Sequence, residues 1–234
     1  ELPLGLVGAS AGAVLLPALA TKGEAKAGMG GLEAALALSL PAALGLAVLA
    51  HPIVAVLFQR GAFDAEASGL TATALALLAL TLPLQAVEKV LIAIAFTGGL
   101  SRLVTIASLA ALPIGAAVGF LAVGPLGMAG PALGVLVSSL VGLAGLAAGL
   151  ARRRRLVVPN ETRRRLVGLG LAALAMALAV ALAARLTEGA FAAGGLMAAV
   201  ALAGLVILGV AVYAAGARLF GGMEVAALRA GLRR

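Results

Sequence analysis

The chain has 234 residues, of which 63% are hydrophobic and 11% charged, with a formal net charge of +8. Soluble domains are ~45–50% apolar and ~25% charged, and so few charges cannot cover a soluble globule of this length. An integral membrane protein remains. There is no Cys, so no disulfide or thiolate metal site, and the 32 glycines suit tightly packed membrane helices. With no Trp and one Tyr, the interfacial aromatic belt is nearly missing.

The chain opens on "ELPLGLVGASAGAVLLPALA" without Met, charged n-region or cleavage site, so it reads as a fragment rather than as a signal peptide. A membrane helix needs ~20 mostly apolar residues. Stretches of that kind are Leu2–Ala20, Leu32–Ala50, Gly69–Phe96, Leu103–Val123, Gly130–Leu150, Leu166–Ala184 and Gly194–Ala217. Pro52–Gln59 is too short to span and is expected along the interface. After it, Arg60 and Gly61 turn the chain, Asp64 N-caps the next helix and Glu66 sits near its positive end. Pro17, Pro41, Pro83 and Pro113 lie inside spans, where each frees a backbone carbonyl and bends its helix. Small residues four apart (Gly8/Gly12, Gly115/Gly119, Gly130/Gly134 and Gly145/Gly149) predict close helix packing.

Sidedness follows from Lys and Arg. All but three of the 17 basic residues fall in alternate connections: Lys22, Lys26, Arg102, Arg152–Arg155, Arg163–Arg165, Arg218, Arg229, Arg233 and Arg234. The intervening connections hold Arg60 and Arg185, and Lys89 lies within a span. Glu1 is therefore expected outside and Arg234 in the cytoplasm. The positive charge is accounted for by topology and anionic headgroups rather than by nucleic acid.

The third span, "TLPLQAVEKVLIAIAF", carries Gln85, Glu88 and Lys89. A charge near the centre of a span costs at least ~2.5 kcal/mol on insertion scales. Gln85 and Lys89, four apart, share a helix face, which a substrate cavity would explain; snorkelling of Lys89 to cytoplasmic headgroups is the alternative. Glu88 either neutralises Lys89 or faces a different helix. A retinal protein does not fit, because the lysine is not in the last span and aromatics are too few. His51 sits at a helix end as an interfacial residue. No P-loop, GxSxG, Cys/His cluster or paired intramembrane carboxylates occur, so neither an enzyme nor a cofactor is expected.

"PIVAVLFQRGAFDA" followed by a Thr-Ala helix, "VEKVL", "GPLGMAGPALG" and the opening "LPLGLVGASAGAVLLPALA" together resemble the MurJ/MviN lipid II flippases of the multidrug/oligosaccharidyl-lipid/polysaccharide exporter superfamily. The resemblance covers residues 1–135, and from 136 on it rests on hydropathy and the Arg-rich loop. It implies an all-α polytopic bundle of about seven transmembrane helices. Residues 1–150 would be the second lobe of a two-lobe fold without its first helix, and 151–165 a basic cytoplasmic loop. Residues 166–217 would be two additional helices lining a groove for a polyprenyl tail, and 218–234 a basic tail. The implied activity is outward movement of lipid II across the bacterial cytoplasmic membrane by alternating access. Gln85, Glu88 and Lys89 are the candidate substrate-binding residues, and the implied partners are lipid II, membrane lipids and an N-terminal lobe. Departures from the family pattern are "TGGLSRLV", which lacks the Asp and Pro of its Gly-Asp-Thr-x-Thr-Pro turn, and Gly115 and Gly119, where relatives often carry Asn. An exporter of other lipid-linked saccharides or drugs, or a non-transporting scaffold, is the alternative.

Overall fold

The computed structural model describes residues 24–59, 63–154, 159–193 and 195–220. The first expected span, Leu2–Ala20, lies outside these residues, as do Lys22, the Arg60–Gly61 turn, Arg155, Arg229, Arg233 and Arg234. The described elements are α1 (Glu24–Val48), α2 (Ala50–Phe58), α3 (Ala65–Thr97), α4 (Ser101–Leu126), a 3₁₀ turn (Gly127–Ala129), α5 (Gly130–Arg152), α6 (Asn160–Leu186), α7 (Glu188–Ala193) and α8 (Gly195–Leu219). Among the described residues there is no strand, so the chain is an all-α bundle.

Among the described residues five stretches are long and apolar enough to cross a membrane, and one of them, Ser101–Arg152, spans 52 residues. That stretch folds back on itself at Gly127, whose φ of +53° suits a residue without Cβ. It therefore supplies two antiparallel crossings, α4 and α5. With α1, α3, α6 and α8, every expected span within the described residues is helical.

The helices run further than the apolar stretches. α1 is already helical at Glu24, inside the connection expected over 21–31, and α5 and α6 take both ends of the expected 151–165 loop, so Arg163, Arg164 and Arg165 are helical. Hydropathy marks only the ~30 Å hydrocarbon core, whereas a helix continues into the headgroups. α3 makes the difference plain: its 33 residues correspond to about 50 Å at 1.5 Å per residue.

Caps and prolines set the breaks. Asp64 caps α3 as expected, its carboxylate accepting from the Ala67 N–H at 2.9 Å, with Glu66 in the first turn. α1 gives way to α2 at Leu49. Pro52 lies four residues after Val48, and its ring can neither donate to nor clear the Val48 carbonyl. Pro41, Pro83, Pro113 and Pro125 are carried inside helices.

The helices pack as a continuous row, α4–α5–α3–α1–α6–α8. Leu91, Ala95, Leu146 and Leu150 join α3 to α5; Leu32, Ala35, Ala86 and Val90 join α1 to α3. Leu49, Leu169, Ala172, Ala173, Met176, Val180, Leu205, Tyr213 and Ala217 form the seam of α1, α6 and α8. At the tightest contact the backbones of α4 and α5 touch. A Cβ on Gly134 would lie 2.5 Å from the Gly115 carbonyl oxygen and 2.8 Å from Gly119 Cα, and one on Gly130 would lie 2.7 Å from Val123 N. The pairs Gly115/Gly119 and Gly130/Gly134 thus face each other across one interface.

This antiparallel arrangement gathers basic residues at one end. Arg102, Arg152–Arg154, Arg163–Arg165 and Arg218 lie at the α4 N-terminus, α5 C-terminus, α6 N-terminus and α8 C-terminus. There Arg165 Nη1 meets Glu33 Oε2 at 3.3 Å, tying α6 to α1. At the opposite end stands Arg185.

Gly134→Leu should unseat α4 from α5, lowering the melting temperature of the detergent-solubilised protein by an amount equivalent to at least ~1–3 kcal/mol. Gly170→Ala, where an added Cβ meets nothing within 4 Å, should leave melting unchanged or slightly raised. Equal melting of both variants would contradict the backbone contact.

Candidate functional site

Two features of the bundle are candidates for a functional site: a polar strip on α3 and an apolar groove between α1, α6 and α8. α3 presents Ala86 and Val90 to α1, and Leu91 and Ala95 to α5. Gln85 and Lys89, about 40° apart at 3.6 residues per turn, fall on the remaining face. Lys89 is exposed there, in line with exposed Thr71, Leu78 and Phe96, while Gln85 is half-buried. The Gln85 amide donates to Thr81 Oγ1 at 3.3 Å, and the Thr81 hydroxyl donates to the Leu78 carbonyl at 2.6 Å. Lys89 forms no ion pair among the described residues.

Glu88 stands apart from these two. Its side chain points to α5, where a Cβ on Gly142 would lie 2.8 Å from Oε1. Gly142 thus leaves room for the carboxylate between α3 and α5. Of the two dispositions open for Glu88 in the sequence, the structure has it facing a different helix rather than pairing with Lys89.

The groove encloses about 510 Å³. Pro41 and Gly45 from α1, with Leu49 just past its end, form one wall, Met176 and Val180 from α6 the floor, and Leu205, Gly209 and Tyr213 from α8 the other wall. Small residues open it: a Cβ on Gly45 would be 3.7 Å from Met176 Cε, and one on Gly209 3.2 Å from Val180 Cγ2. Its one prominent polar group is already engaged. Pro41 has no N–H for the carbonyl four residues earlier, that of Ala37. The Tyr213 hydroxyl, 176 residues away in sequence, donates to that carbonyl at 2.7 Å. The groove is thus apolar throughout and suited to a hydrocarbon chain. Sequence reasoning gave the freed carbonyl at Pro41 but not its partner. The available signal was the single Tyr, placed in a span whose hydroxyl needs an acceptor.

Comparison with known proteins agrees with this architecture. A family model described as "Lipid II flippase MurJ" matches residues 1–202. A "Probable lipid II flippase MurJ" of Rhizobium tropici is 32% identical over 247 residues, covering 100% of this chain and 46% of the relative. Another, from Bdellovibrio bacteriovorus, is 41% identical over 98 residues, covering 39% of this chain and 19% of that protein. A solved structure titled "Lipid II flippase MurJ, inward closed conformation" superposes with a TM-score of 0.76 at 18% identity, covering 94% of this chain and 44% of that one, a likeness of fold. The chain thus spans under half the length of the Rhizobium tropici relative and of the solved chain.

Helices long enough to cross the bilayer, packed through glycines and carrying an apolar groove, define a multi-pass membrane protein of the all-α bundle class. Within that class, the chain belongs to the lipid II flippase MurJ family.

The Tyr213–Ala37 bond gives a two-way test. Tyr213→Phe should lower the melting temperature by the equivalent of ~0.5–1.5 kcal/mol. Pro41→Ala restores an N–H to the Ala37 carbonyl, so in that background the same substitution should have little further effect. Full additivity of the two changes would show that the hydroxyl does not serve the carbonyl freed by Pro41.

Proposed function

We propose that this chain forms part of a flippase that moves lipid-linked peptidoglycan precursor outward across the bacterial cytoplasmic membrane by alternating access. The observation that carries this reading is the 510 Å³ apolar groove between α1 and the α6/α8 pair, which suits a polyprenyl tail. Residues 1–150 would contribute five spans of one lobe, 166–217 the two helices that close the groove, and 151–165 and 218–234 basic cytoplasmic segments. The rest of a chain as long as the relatives would supply a facing lobe.

Lys89 and Gln85, on the face of α3 that is turned away from its helix neighbours, would line the cavity between lobes, and Lys89 would attract the pyrophosphate. Glu88 would act from within the lobe, at the α3–α5 seam. The proton and metal chemistry of an enzyme is not needed, since moving the lipid makes and breaks no covalent bond. The segregation of basic residues to one end of the bundle supports a cytoplasmic placement for that end.

Complementation of a flippase-depleted strain by the intact protein tests both surfaces. At equal expression, Gly45→Phe should fill the groove and abolish growth while Gly45→Ala is tolerated. Lys89→Ala should impair growth and Lys89→Arg less so. Wild-type growth with both Gly45→Phe and Lys89→Ala would sink the proposed roles.

Orientation is tested by thiol labelling of intact cells, helped by the absence of Cys from these 234 residues. A cysteine at Ala62 should react with an impermeant reagent added outside, and one at Asn160 should not. The reverse pattern would invert the topology.

A further inference from the structure

A second cavity, of about 740 Å³, opens at the end of the molecule opposite the arginine-rich connection, between α2 and the corner formed by α6, α7 and α8. It shares no lining residue with the apolar groove, and its volume falls within the ~300–1,000 Å³ of small-molecule sites. His51 and Gln59 of the α2 segment line it on one side, and Arg185 and Glu188 on the other, over small apolar residues such as Ala184 and Ala198. It lies where α1, α6 and α8 end, which places it at headgroup depth rather than in hydrocarbon.

The charges in this cavity are unspent. Arg185 and Glu188 are three apart in sequence, yet the helix breaks between them at Thr187, whose hydroxyl turns back to the Ala183 and Ala184 carbonyls at 3.1 Å. Neither Arg185 nor Glu188 forms an ion pair or side-chain hydrogen bond among the described residues, and both are exposed to the cavity mouth. Arg185 is also the one described basic residue at this end of the bundle, where the positive-inside pattern disfavours it. Topology therefore gives no reason for it to be there.

We propose that this cavity binds a phospholipid headgroup carrying both a phosphate and a primary ammonium, as phosphoethanolamine does, with Arg185 on the phosphate and Glu188 on the ammonium. A simple anion would be drawn to Arg185 and repelled by Glu188, and a simple cation the reverse. A zwitterion satisfies both. The ammonium must be able to donate hydrogen bonds, so a trimethylated headgroup is a poorer fit to the carboxylate. Gln59 and His51 offer further polar contacts across the cavity. An occupied site would bridge α2 to the α6–α8 corner. The proposal stands independently of the tail groove and of the flipping activity, because none of its residues belongs to either.

Native mass spectrometry of the intact protein, with phosphatidylethanolamine, phosphatidylcholine or phosphatidylglycerol added to the detergent solution, tests it directly. Phosphatidylethanolamine should be retained in preference to the other two. Glu188→Gln should weaken its retention by about tenfold, the scale of one lost charge-assisted hydrogen bond, while leaving phosphatidylglycerol unchanged or increased. Arg185→Ala should weaken both, and Arg185→Lys should do so less. Unchanged melting temperatures separate these effects from misfolding. Equal retention of the three lipids, or phosphatidylethanolamine binding indifferent to Glu188→Gln, would overturn the assignment.

Discussion

In hydrocarbon no water can rescue a backbone carbonyl, so every bend in a membrane helix has to be answered by another part of the chain. In this protein the decisive instance is Pro41. By withholding an N–H from Ala37 it creates an acceptor on α1 that only a side chain can satisfy, and Tyr213 of α8 does so at 2.7 Å. That bond crosses the apolar groove at one end and holds its two walls at a fixed separation. Gly45 and Gly209 then keep the space between them open. Were the walls held by apolar packing alone, the same small residues would let them collapse together, since an unfilled void forfeits dispersion contacts on both of its sides.

A second constraint works in the opposite direction. α4 and α5 have no polar bond between them comparable to that of Tyr213. They are held by proximity, with backbone against backbone at Gly115, Gly119, Gly130 and Gly134. Lipid offers no hydrophobic drive to bring helices together, so contact area and fit must supply the association. The outer face of α4 carries exposed Leu109, Leu112, Phe120 and Leu121, and that of α5 exposed Val135 and Leu140, as expected of surfaces solvated by acyl chains. One hairpin thus has a glycine face for its partner and a leucine-rich face for lipid.

Much of this was legible in the sequence because the bilayer imposes a length that hydropathy reports directly, and because antiparallel helices bring alternate Lys/Arg-rich connections to one end of the bundle. The spans within the described residues, the shortness of α2, the Asp64 cap and the glycine pairs of α4 and α5 all follow from local pattern. Helix ends were less legible. Charged residues such as Arg163 and Arg165 look like loop by composition but continue a helix once they are past the hydrocarbon. Long-range partners were not legible at all. The seat of Glu88 against Gly142, the Tyr213–Ala37 bond and the Arg165–Glu33 pair each depend on which helix lies beside which, and residue spacing within one helix carries no information about that. The groove shares this limitation, since its walls come from residues 37–53, 176–180 and 205–214.

The same contacts bear on which parts of the molecule can move relative to one another. α6 is joined to α1 by Arg165–Glu33 at the arginine-rich end, α8 to α1 by Tyr213–Ala37 within the bilayer, and all three helices meet in the Leu49–Met176–Leu205 seam. Connections spread along most of the length of α1 leave little freedom for the α6/α8 pair to rotate against it. α1 is in turn packed on α3 through Leu32, Ala35, Ala86 and Val90, and α3 on α5. A motion that parted the α6/α8 pair from α1 would break several of these contacts together and uncover the carbonyl of Ala37. A motion that carried the whole row as one body would break none. The surface of that body includes the unpacked side of α3, where Lys89 stands exposed. Movement of the row as one body therefore leaves every described intramembrane hydrogen bond intact.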